Sequence, residues 1–341
     1  MSLLKAKKLL APLLFGMELG YLKQASLARK KFVVLMYHRI LRQNEIAGEI
    51  ESGMYVERDT FDKHMKFVKR NFEPVSFSNW LKFTRTERLS PSGKPYCIVT
   101  FDDGWLDFYR NAYPILLRYE IPATVFLPTD FIGSTKWFWT DRLARMFAKK
   151  KSSKARTMKR DLAYPELRTI LRLTGNHEKT RERIINLLKT KRLEIIEEIL
   201  TALSELWEIE LPVGERAFLN WEEVRELYNS GLIQFGSHTQ SHPILTTLSK
   251  EEVVSELENS RNRLDAAGII DLENLVFCYP NGSYDSDIRD LVKKIGYKAA
   301  VTTRPGWNSY GDDPFELNRI GVHQDVTSTI PMYCSRILTI F

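Results

Sequence analysis

Short apolar runs that resemble strands alternate with segments of helical periodicity along most of this 341-residue chain. The run 96–101 is rich in β-branched and aromatic residues and hardly alternates with polar ones, which indicates a strand buried on both faces. Strands that alternate with helices predict an α/β fold with a parallel sheet or barrel. Their number favours a barrel: 31–38, 74–77, 96–101, 123–127, 232–235, 275–279, 299–302 and 317–322.

One long segment interrupts this alternation. Residues 140–218 are helical in pattern and lack strand signals, so we predict a basic helical insertion within a domain of residues 31–341. The stretch 142–160 holds nine Lys and Arg and no acidic residue. Such a run is usually a solvated face, but it also suits phospholipid headgroups or a phosphate-linked substrate.

The N-terminal residues 1–30 form a separate predicted segment. Lys5, Lys7 and Lys8 precede an apolar run, 9–17, which is too short to span a bilayer. A signal peptide has this layout, but no small-x-small cleavage site follows. We therefore expect a helix that packs on the domain or contacts a membrane, and a cytoplasmic protein that is peripheral to the membrane in the second case. Secretion and membrane anchoring stay open.

The overall charge and the cysteine count limit the partners. The net charge of +7 favours anionic surfaces, such as an anionic membrane or a lipid-linked glycan. Three cysteines without CxxC spacing argue against a disulfide framework or a thiolate zinc site. No interleaved aromatic and basic motif is present, so we expect no nucleic-acid partner.

The strand 96–101 leads directly into Asp102, Asp103 and Gly104, and a helical pattern follows. Ligand sites in parallel α/β folds lie at the carboxyl ends of strands. Adjacent carboxylates there repel unless a cation separates their roles, with one Asp as its ligand and the other free as a base. The alternative is an ordinary Asp-Gly turn.

Two histidines follow another predicted strand. His238 and His242 lie four residues apart after 232–235, in a loop that precedes a helix with a capping box at Ser249. One helical turn or an equivalent loop can direct both imidazoles at one ion. Together with an Asp they would form a three-ligand site with an open position, as catalytic zinc sites have.

Two further strand ends carry polar residues. The stretch 278–282 (CYPNG) is either a plain turn or a loop whose backbone N–H faces a developing oxyanion. Near the C-terminus, 318–323 (NRIGVH) is a strand-like end that carries a histidine, which taken alone is more often structural than catalytic.

These motifs together resemble a known family. TFDDG at 100–104, HTQSHP at 238–243 and YPNG at 279–282 are similar to the polysaccharide deacetylases of the NodB-homology type, also called family-4 carbohydrate esterases. LMYHR at 35–39 and FDKHM at 61–65 are similar to the opening of many members. The resemblance covers about 32–130 and 220–322, and it leaves the insertion unexplained.

The resemblance implies a deformed (β/α)7 barrel, here with a helical insertion, that removes acetyl groups from N-acetylated sugars in a polysaccharide, oligosaccharide or glycolipid. It implies one divalent ion, which we expect to be zinc, although cobalt and nickel also suit such ligands. The roles that it implies are metal ligand for Asp103, His238 and His242, general base for Asp102, and oxyanion donor for the N–H of Tyr279. We add His323 as general acid and Trp307 as a sugar-lining residue that is equally compatible with the core.

The chain departs from the family pattern at two places, and the family's late Asp-Trp pairing has no clear counterpart. Cys278 stands where many members have an arginine that orients the catalytic Asp, and either Arg319 or Arg304 is a candidate substitute. The late Leu-x-His motif is replaced by Gly321-Val322-His323, which leaves the general acid open. Four alternatives stay. The motifs report carbonyl chemistry and do not separate a deformylase or an O-acetyl esterase on a lipid-linked sugar. The departures permit a non-catalytic glycan-binding module of the same fold, and the basic insertion and N-terminal segment permit a membrane-surface scaffold.

Overall fold

The computed structural model describes residues 31–46, 50–86, 90–149, 164–173, 177–210 and 215–338. The predicted N-terminal segment 1–30 and residues 150–163 of the basic run lie outside the described residues. In the part of the chain that the structure describes, no helix is long and apolar enough to span a membrane.

Eleven strands are present in the described ranges. They are β1 (Lys31–Tyr37), β2 (Arg39–Leu41), β3 (Tyr55–Glu57), β4 (Glu73–Pro74), β5 (Tyr96–Phe101), β6 (Ala123–Leu127), β7 (Ile233–Ser237), β8 (Val276–Cys278), β9 (Ala299–Val301), β10 (Asn308–Ser309) and β11 (Ile320–Gly321). The α-helices are α1 (Arg58–Asn71), α2 (Phe77–Arg85), α3 (Tyr113–Tyr119), α4 (Trp139–Lys149), α5 (Pro165–Arg172), α6 (His177–Leu188), α7 (Leu193–Trp207), α8 (Trp221–Asn229), α9 (Lys250–Ala266), α10 (Ser286–Ile295), α11 (Gln324–Thr327) and α12 (Ile330–Ile337).

Six parallel strands form the body of the sheet, in the order β1-β5-β6-β7-β8-β9. The segment 317–321 joins the two ends: Leu317 bridges Val301 of β9, and β11 pairs in parallel with Leu35 and Met36 of β1. The sheet therefore curls into a seven-stranded barrel with short strands on one side. The predicted α/β fold, a deformed (β/α)7 barrel, is confirmed.

Burial explains why the strands could be predicted from the sequence. All six residues of β5 are buried, because the barrel interior covers one face and the surrounding helices cover the other. The capping box at the start of α9 is also confirmed, since the Glu252 N–H donates to Ser249 Oγ and the Ser249 N–H donates to Glu252 Oε2. The predicted strand 74–77 is shorter than expected: β4 ends at Pro74, and Ser76 caps α2.

Four helices, α4 to α7, lie between β6 and α8, in the region of the predicted insertion. Their apolar faces pack on one another around a hydrophobic cluster of their own, which includes Leu143, Ile170, Ile184 and Leu200. This four-helix unit has no strand among its described residues. Where it begins and ends as a domain stays a prediction.

Candidate metal centre and active site

The predicted site residues lie at one end of the barrel. Asp102 and Asp103 directly follow β5, His238 and His242 follow β7, and Tyr279 follows β8. Since these strands are parallel neighbours in one sheet, their carboxyl ends meet at the same rim. The rim surrounds a cavity of about 870 Å³, which all five side chains line.

Three of these residues converge as metal ligands would. The Oδ1 atom of Asp103 lies 3.5 Å from the Nε2 atoms of both His238 and His242, and these two nitrogens lie 3.2 Å apart. A tetrahedral ion with ligand bonds of about 2.0–2.1 Å would set neighbouring ligand atoms about 3.3 Å apart. The donor set of two imidazole nitrogens and one carboxylate oxygen therefore fits a divalent ion such as Zn²⁺.

Hydrogen bonds fix the orientation of the ligands. His238 directs Nδ1 at the carbonyl oxygen of Cys278, 2.8 Å away, which places the ring proton on Nδ1 and leaves Nε2 as a lone-pair donor. The indole N–H of Trp105 donates to Oδ2 of Asp103 at 3.0 Å, so that Oδ1 faces the histidines. The cluster is thus oriented by contacts that do not use its ligand atoms.

The backbone at the cluster adopts conformations that L-residues rarely take. Asp103, Thr239 and His242 have φ values of 75°, 67° and 62°. Each such left-handed residue costs about 1–3 kcal/mol, and strain of this kind concentrates at functional sites. Gly104 continues the turn at φ 66°, where a Cβ atom would lie 2.6 Å from Cδ2 of Leu127, so only glycine fits.

Arg319 takes the place of the arginine that the sequence lacks at position 278. Its Nη1 donates to Oδ1 of Asp102 at 2.6 Å and its Nη2 donates to Oδ2 at 2.8 Å, while Nε donates to the Thr302 carbonyl at 2.7 Å. The guanidinium is fully buried. Arg304 instead pairs with Glu316 at the surface, so the structure selects Arg319 of the two candidates.

The two adjacent carboxyl groups have opposite pKa shifts. Burial raises the pKa of Asp102, but the charge and hydrogen bonds of Arg319 outweigh it and hold the pKa well below its usual range. Burial, together with the neighbouring charge of Asp102, raises the pKa of Asp103 to about 8. Asp102 is therefore ionised at neutral pH because Arg319 stabilises its negative charge. Asp103 becomes ionised at neutral pH only when a cation lies beside it.

Both histidines of the cluster are neutral at neutral pH. Burial is the largest influence on each, and it lowers the pKa of His238 to about 4 and the pKa of His242 well below its usual range. Metal ligation requires neutral imidazole, so no proton has to be displaced from either ring at neutral pH.

A second grouping of Asp102, His238 and Cys278 also brings three ligand-type atoms together. The Nη2 atom of Arg319 lies 3.2 Å from the Cys278 sulfur and 2.8 Å from Asp102, so a guanidinium cation already serves these two groups. A second cation beside it would be repelled. The grouping around Asp103 is therefore the better metal site.

His38 is a site residue to which sequence reasoning assigned no role. It follows β1, lines the cavity, and places Nε2 3.8 Å from Oδ2 of Asp102. Burial lowers its pKa, against the opposing effect of the Asp102 charge. Its position in the sequence could have indicated this role, because His38 is a polar residue directly after a buried strand that ends at the same rim.

The oxyanion role predicted for the Tyr279 N–H needs correction. This N–H already donates to the carbonyl oxygen of Val301, 3.2 Å away, as part of the pairing between β8 and β9. A backbone donor engaged in a sheet is not available to a substrate oxygen. Tyr279 still lines the cavity, and its hydroxyl donates to the Phe315 carbonyl at 3.1 Å.

Trp307 is not part of the cavity wall. It precedes Asn308, which pairs with Phe32 at the start of β1, so it lies at the amino-terminal end of the barrel, opposite the cluster of Asp103, His238 and His242. Its indole N–H donates to the Ile337 carbonyl at 2.7 Å, and its ring packs against Phe72. The structure therefore favours the core role that the sequence left open for this residue.

His323 lies at the same end of the barrel as Asp102 and His38. Residues 36 and 321 are paired in the sheet, so His323 and His38 emerge side by side at the rim. The Nδ1 atom of His323 contacts the carboxylate of Asp325, and about a quarter of the side chain is exposed. Its role as general acid stays a prediction, alongside His38 as a second candidate.

Comparison with known proteins identifies a family. A family model described as polysaccharide deacetylase matches residues 90–184 and 175–300, more than half of the chain. YxkH of Bacillus subtilis (strain 168), a protein assigned as a polysaccharide deacetylase, is 23% identical over 293 residues, which span 86% of this chain and 71% of YxkH.

Two further relatives are informative. The poly-beta-1,6-N-acetyl-D-glucosamine N-deacetylase of Staphylococcus epidermidis is 30% identical over 128 residues, which span 35% of this chain and 42% of that enzyme. Among solved structures, the Streptococcus pyogenes deacetylase PplD in complex with acetate matches with a TM-score of 0.57 and 21% identity, over 91% of this chain and 97% of that chain. The match to PplD supports the fold.

Proposed function

The chain belongs to the polysaccharide deacetylase family, whose members are hydrolases of carbon–nitrogen bonds, and on this basis we propose that it removes the N-acetyl group of an N-acetylated sugar in a polysaccharide, oligosaccharide or glycolipid through a divalent ion and an Asp general base. One observation carries the proposal: a carboxylate held ionised by a buried arginine lies next to a convergent Asp-His-His cluster. Amide hydrolysis needs both a base for water and an electrophile for the carbonyl.

The residues divide the work as follows. Asp103, His238 and His242 would hold the ion, which supplies Lewis-acid polarisation of the amide carbonyl and a lowered pKa for water. Asp102 accepts the proton of the attacking water, and Oδ2 is the oxygen that faces His38. Arg319 keeps Asp102 ionised and fixes both of its oxygens in place, so the base is ready before substrate binds.

The leaving amine must then receive a proton. His38 is in the cavity wall 3.8 Å from the base, and His323 emerges beside it. A proton taken up by Asp102 can pass to an imidazole at this distance with a small movement or through one water. We assign the proton delivery to this pair of histidines, with His38 nearer to the base.

The test is acetate release by the purified protein from N-acetylglucosamine oligosaccharides. Both β-1,4 and β-1,6 linkages should be offered, because a relative is named for the β-1,6 polymer. The assay is run with added zinc, with a chelator, and with the Asp102→Asn variant. We expect release that needs the metal and falls by about 10²–10⁴ in the variant, the range typical of a lost general base.

A matched control separates loss of the base from general damage. Asp62→Asn removes a carboxylate of the α1 surface that pairs with Arg118, and it should leave acetate release unchanged. Release that persists in Asp102→Asn would refute the mechanism. Sugar binding without any acetate release would instead indicate the glycan-binding module, and release of formate or of ester-linked acetate alone would indicate the deformylase or the esterase.

A further inference from the structure

The cavity over the metal ligands has a second wall that does not come from the barrel. We call this wall the roof, and it consists of the helices α4 to α7 together with the turn 189–192 between α6 and α7. Its side chains that line the cavity are both charged and aliphatic: Asp141, Arg142, Lys189, Lys191 and Glu197 carry charges, and Ala144, Ile185, Leu193 and Ile196 are apolar. The roof thus faces Asp103 and the histidines across one partly open space of about 870 Å³.

Polar contacts attach the roof to the rim at several places. Lys189, after α6, donates to Oδ1 of Asn281 at 2.9 Å in the loop after β8. Arg192, before α7, donates to Glu252 at 3.2 Å in the first turn of the helix after β7. On another side of the mouth, Nε of Arg181 lies 3.9 Å from the carboxylate of Glu51, in the loop that leads from β2 to β3.

These attachments lie in different sectors of the barrel. The roof is joined to the chain after β6, and its contacts reach the loops that follow β7, β8 and β2. Phe138, directly before α4, also packs on the ring of His242 with centroids 4.6 Å apart. The contacts therefore lie on more than one side of the metal ligands, and the roof crosses above them.

A polymer that is deacetylated at an interior unit must enter the site on one side and leave on another. An open groove allows this, whereas a roofed cavity tied to several rim loops blocks the path. A volume of about 870 Å³ is also within the range of about 300–1,000 Å³ that encloses a small-molecule ligand. The space suits a few sugar units rather than a long chain.

We propose that the roof restricts the substrate to a short N-acetylated oligosaccharide or to the terminal unit of a longer chain. This inference rests on the proposed function, because it concerns the same site. Lys189 and Arg192 are the specificity-determining residues, since they hold the roof against the loops after β8 and β7.

The experiment compares substrates of different length at equal concentrations of acetyl groups. The probes are β-1,6- and β-1,4-linked N-acetylglucosamine trisaccharides and pentasaccharides and a high-molecular-weight, partly acetylated chitosan. We expect kcat/KM per acetyl group to be at least about tenfold higher for the trisaccharide than for the polymer, the scale of discrimination that a few excluded contacts produce. Mass spectrometry of the pentasaccharide product should find the deacetylated unit at a chain end.

Variants connect this preference to the roof. In the Lys189→Ala/Arg192→Ala double variant, the ratio of trisaccharide to polymer activity should fall toward one. Lys298→Ala is the matched control, because Lys298 pairs with Glu273 away from the cavity, and its ratio should stay at the wild-type value. Thermal unfolding of each variant shows whether the fold is retained.

Equal activity on interior and terminal units by the wild-type protein would overturn the inference and leave the proposed function intact. Absence of acetate release from every probe would refute the proposed function. The roof is then tested by binding alone, with the trisaccharide in a calorimeter and the polymer in co-sedimentation. Polymer binding at least as tight as trisaccharide binding would overturn the inference.

Discussion

The contact between Arg319 and Asp102 gives the most demanding prediction. Substituting Met for Arg319 keeps much of the apolar side-chain length and removes the guanidinium. Five hydrogen bonds are lost: two to Asp102 at 2.6 and 2.8 Å, one to the Thr302 carbonyl at 2.7 Å, and weaker ones to Thr100 Oγ1 and to the Cys278 sulfur at 3.3 and 3.2 Å. Both side chains are buried, so the carboxylate is left without a counter-charge at the cavity wall.

The magnitude follows from that burial. Removing one partner of a buried ion pair costs about 3–5 kcal/mol of stability, a large share of the total of about 5–15 kcal/mol that folded domains possess. The pKa of Asp102 rises in the variant, because burial then acts without opposition. The base is consequently protonated at a pH where it was ionised before, and activity shifts to higher pH.

The assays are urea unfolding and the pH dependence of kcat/KM for acetate release. We expect a lower unfolding midpoint, a kcat/KM reduced by about 10²–10⁴ at neutral pH, and an acidic limb moved upward in pH. Arg319→Lys should rescue only part of this, because an ammonium cannot form the paired hydrogen bonds.

A double-mutant cycle isolates the pair. The unfolding free energies of Asp102→Asn, Arg319→Met and the combined variant together give the coupling energy of the pair. Mutations at independent sites have additive effects within about 0.5 kcal/mol, and the coupling energy here should be well above that value. An Arg319→Met variant with wild-type stability and an unshifted pH profile would refute the reasoning.

Three further predictions concern other residues of the barrel. Asp103→Asn should lower bound zinc, measured by elemental analysis, from one per chain to near zero and abolish acetate release; zinc retained at one per chain would contradict the assigned ligand set. His38→Gln should lower kcat by about a hundredfold, and a larger loss in His323→Gln would assign the acid to His323 instead. Burial lowers the pKa of His64 to about 3 from its usual 6.5, so the unfolded chain binds more protons between these values. The free energy of unfolding should therefore fall with decreasing pH below about 6.5, by up to about 1.4 kcal/mol per pH unit from this residue. His64→Phe should remove that share from the slope measured in urea at several pH values, and an unchanged slope would contradict the assignment.

Local patterns predicted the strands and the principal side chains of the site. The run 96–101 coincides with β5, because a short, continuous apolar stretch is typical of a strand buried on both faces. The run 123–127 likewise coincides with β6. The convergence of Asp103, His238 and His242 was predictable because each belongs to a short motif at a strand end, and parallel strands bring such motifs to one rim.

The features that the sequence did not determine depend on distant contacts. Arg319 and Asp102 are 217 residues apart, and they meet because the segment 317–321 closes the barrel between β9 and β1. Nothing local to Arg319 distinguishes it from Arg304. The Tyr279 N–H was misassigned because its pairing with Val301 depends on the register between two strands. Trp307 lies at the other barrel end because β10 runs antiparallel to β1.

The central claim is that one ion held by Asp103, His238 and His242 is required for hydrolysis by the Asp102 base. The most direct measurement strips the purified protein of metal and titrates zinc back, while acetate release and bound zinc are followed together. We expect activity to be absent in the stripped protein, to rise in proportion to bound zinc and to reach its plateau at about one ion per chain. Full acetate release from the stripped protein would contradict it, as would a plateau that His242→Gln leaves unchanged.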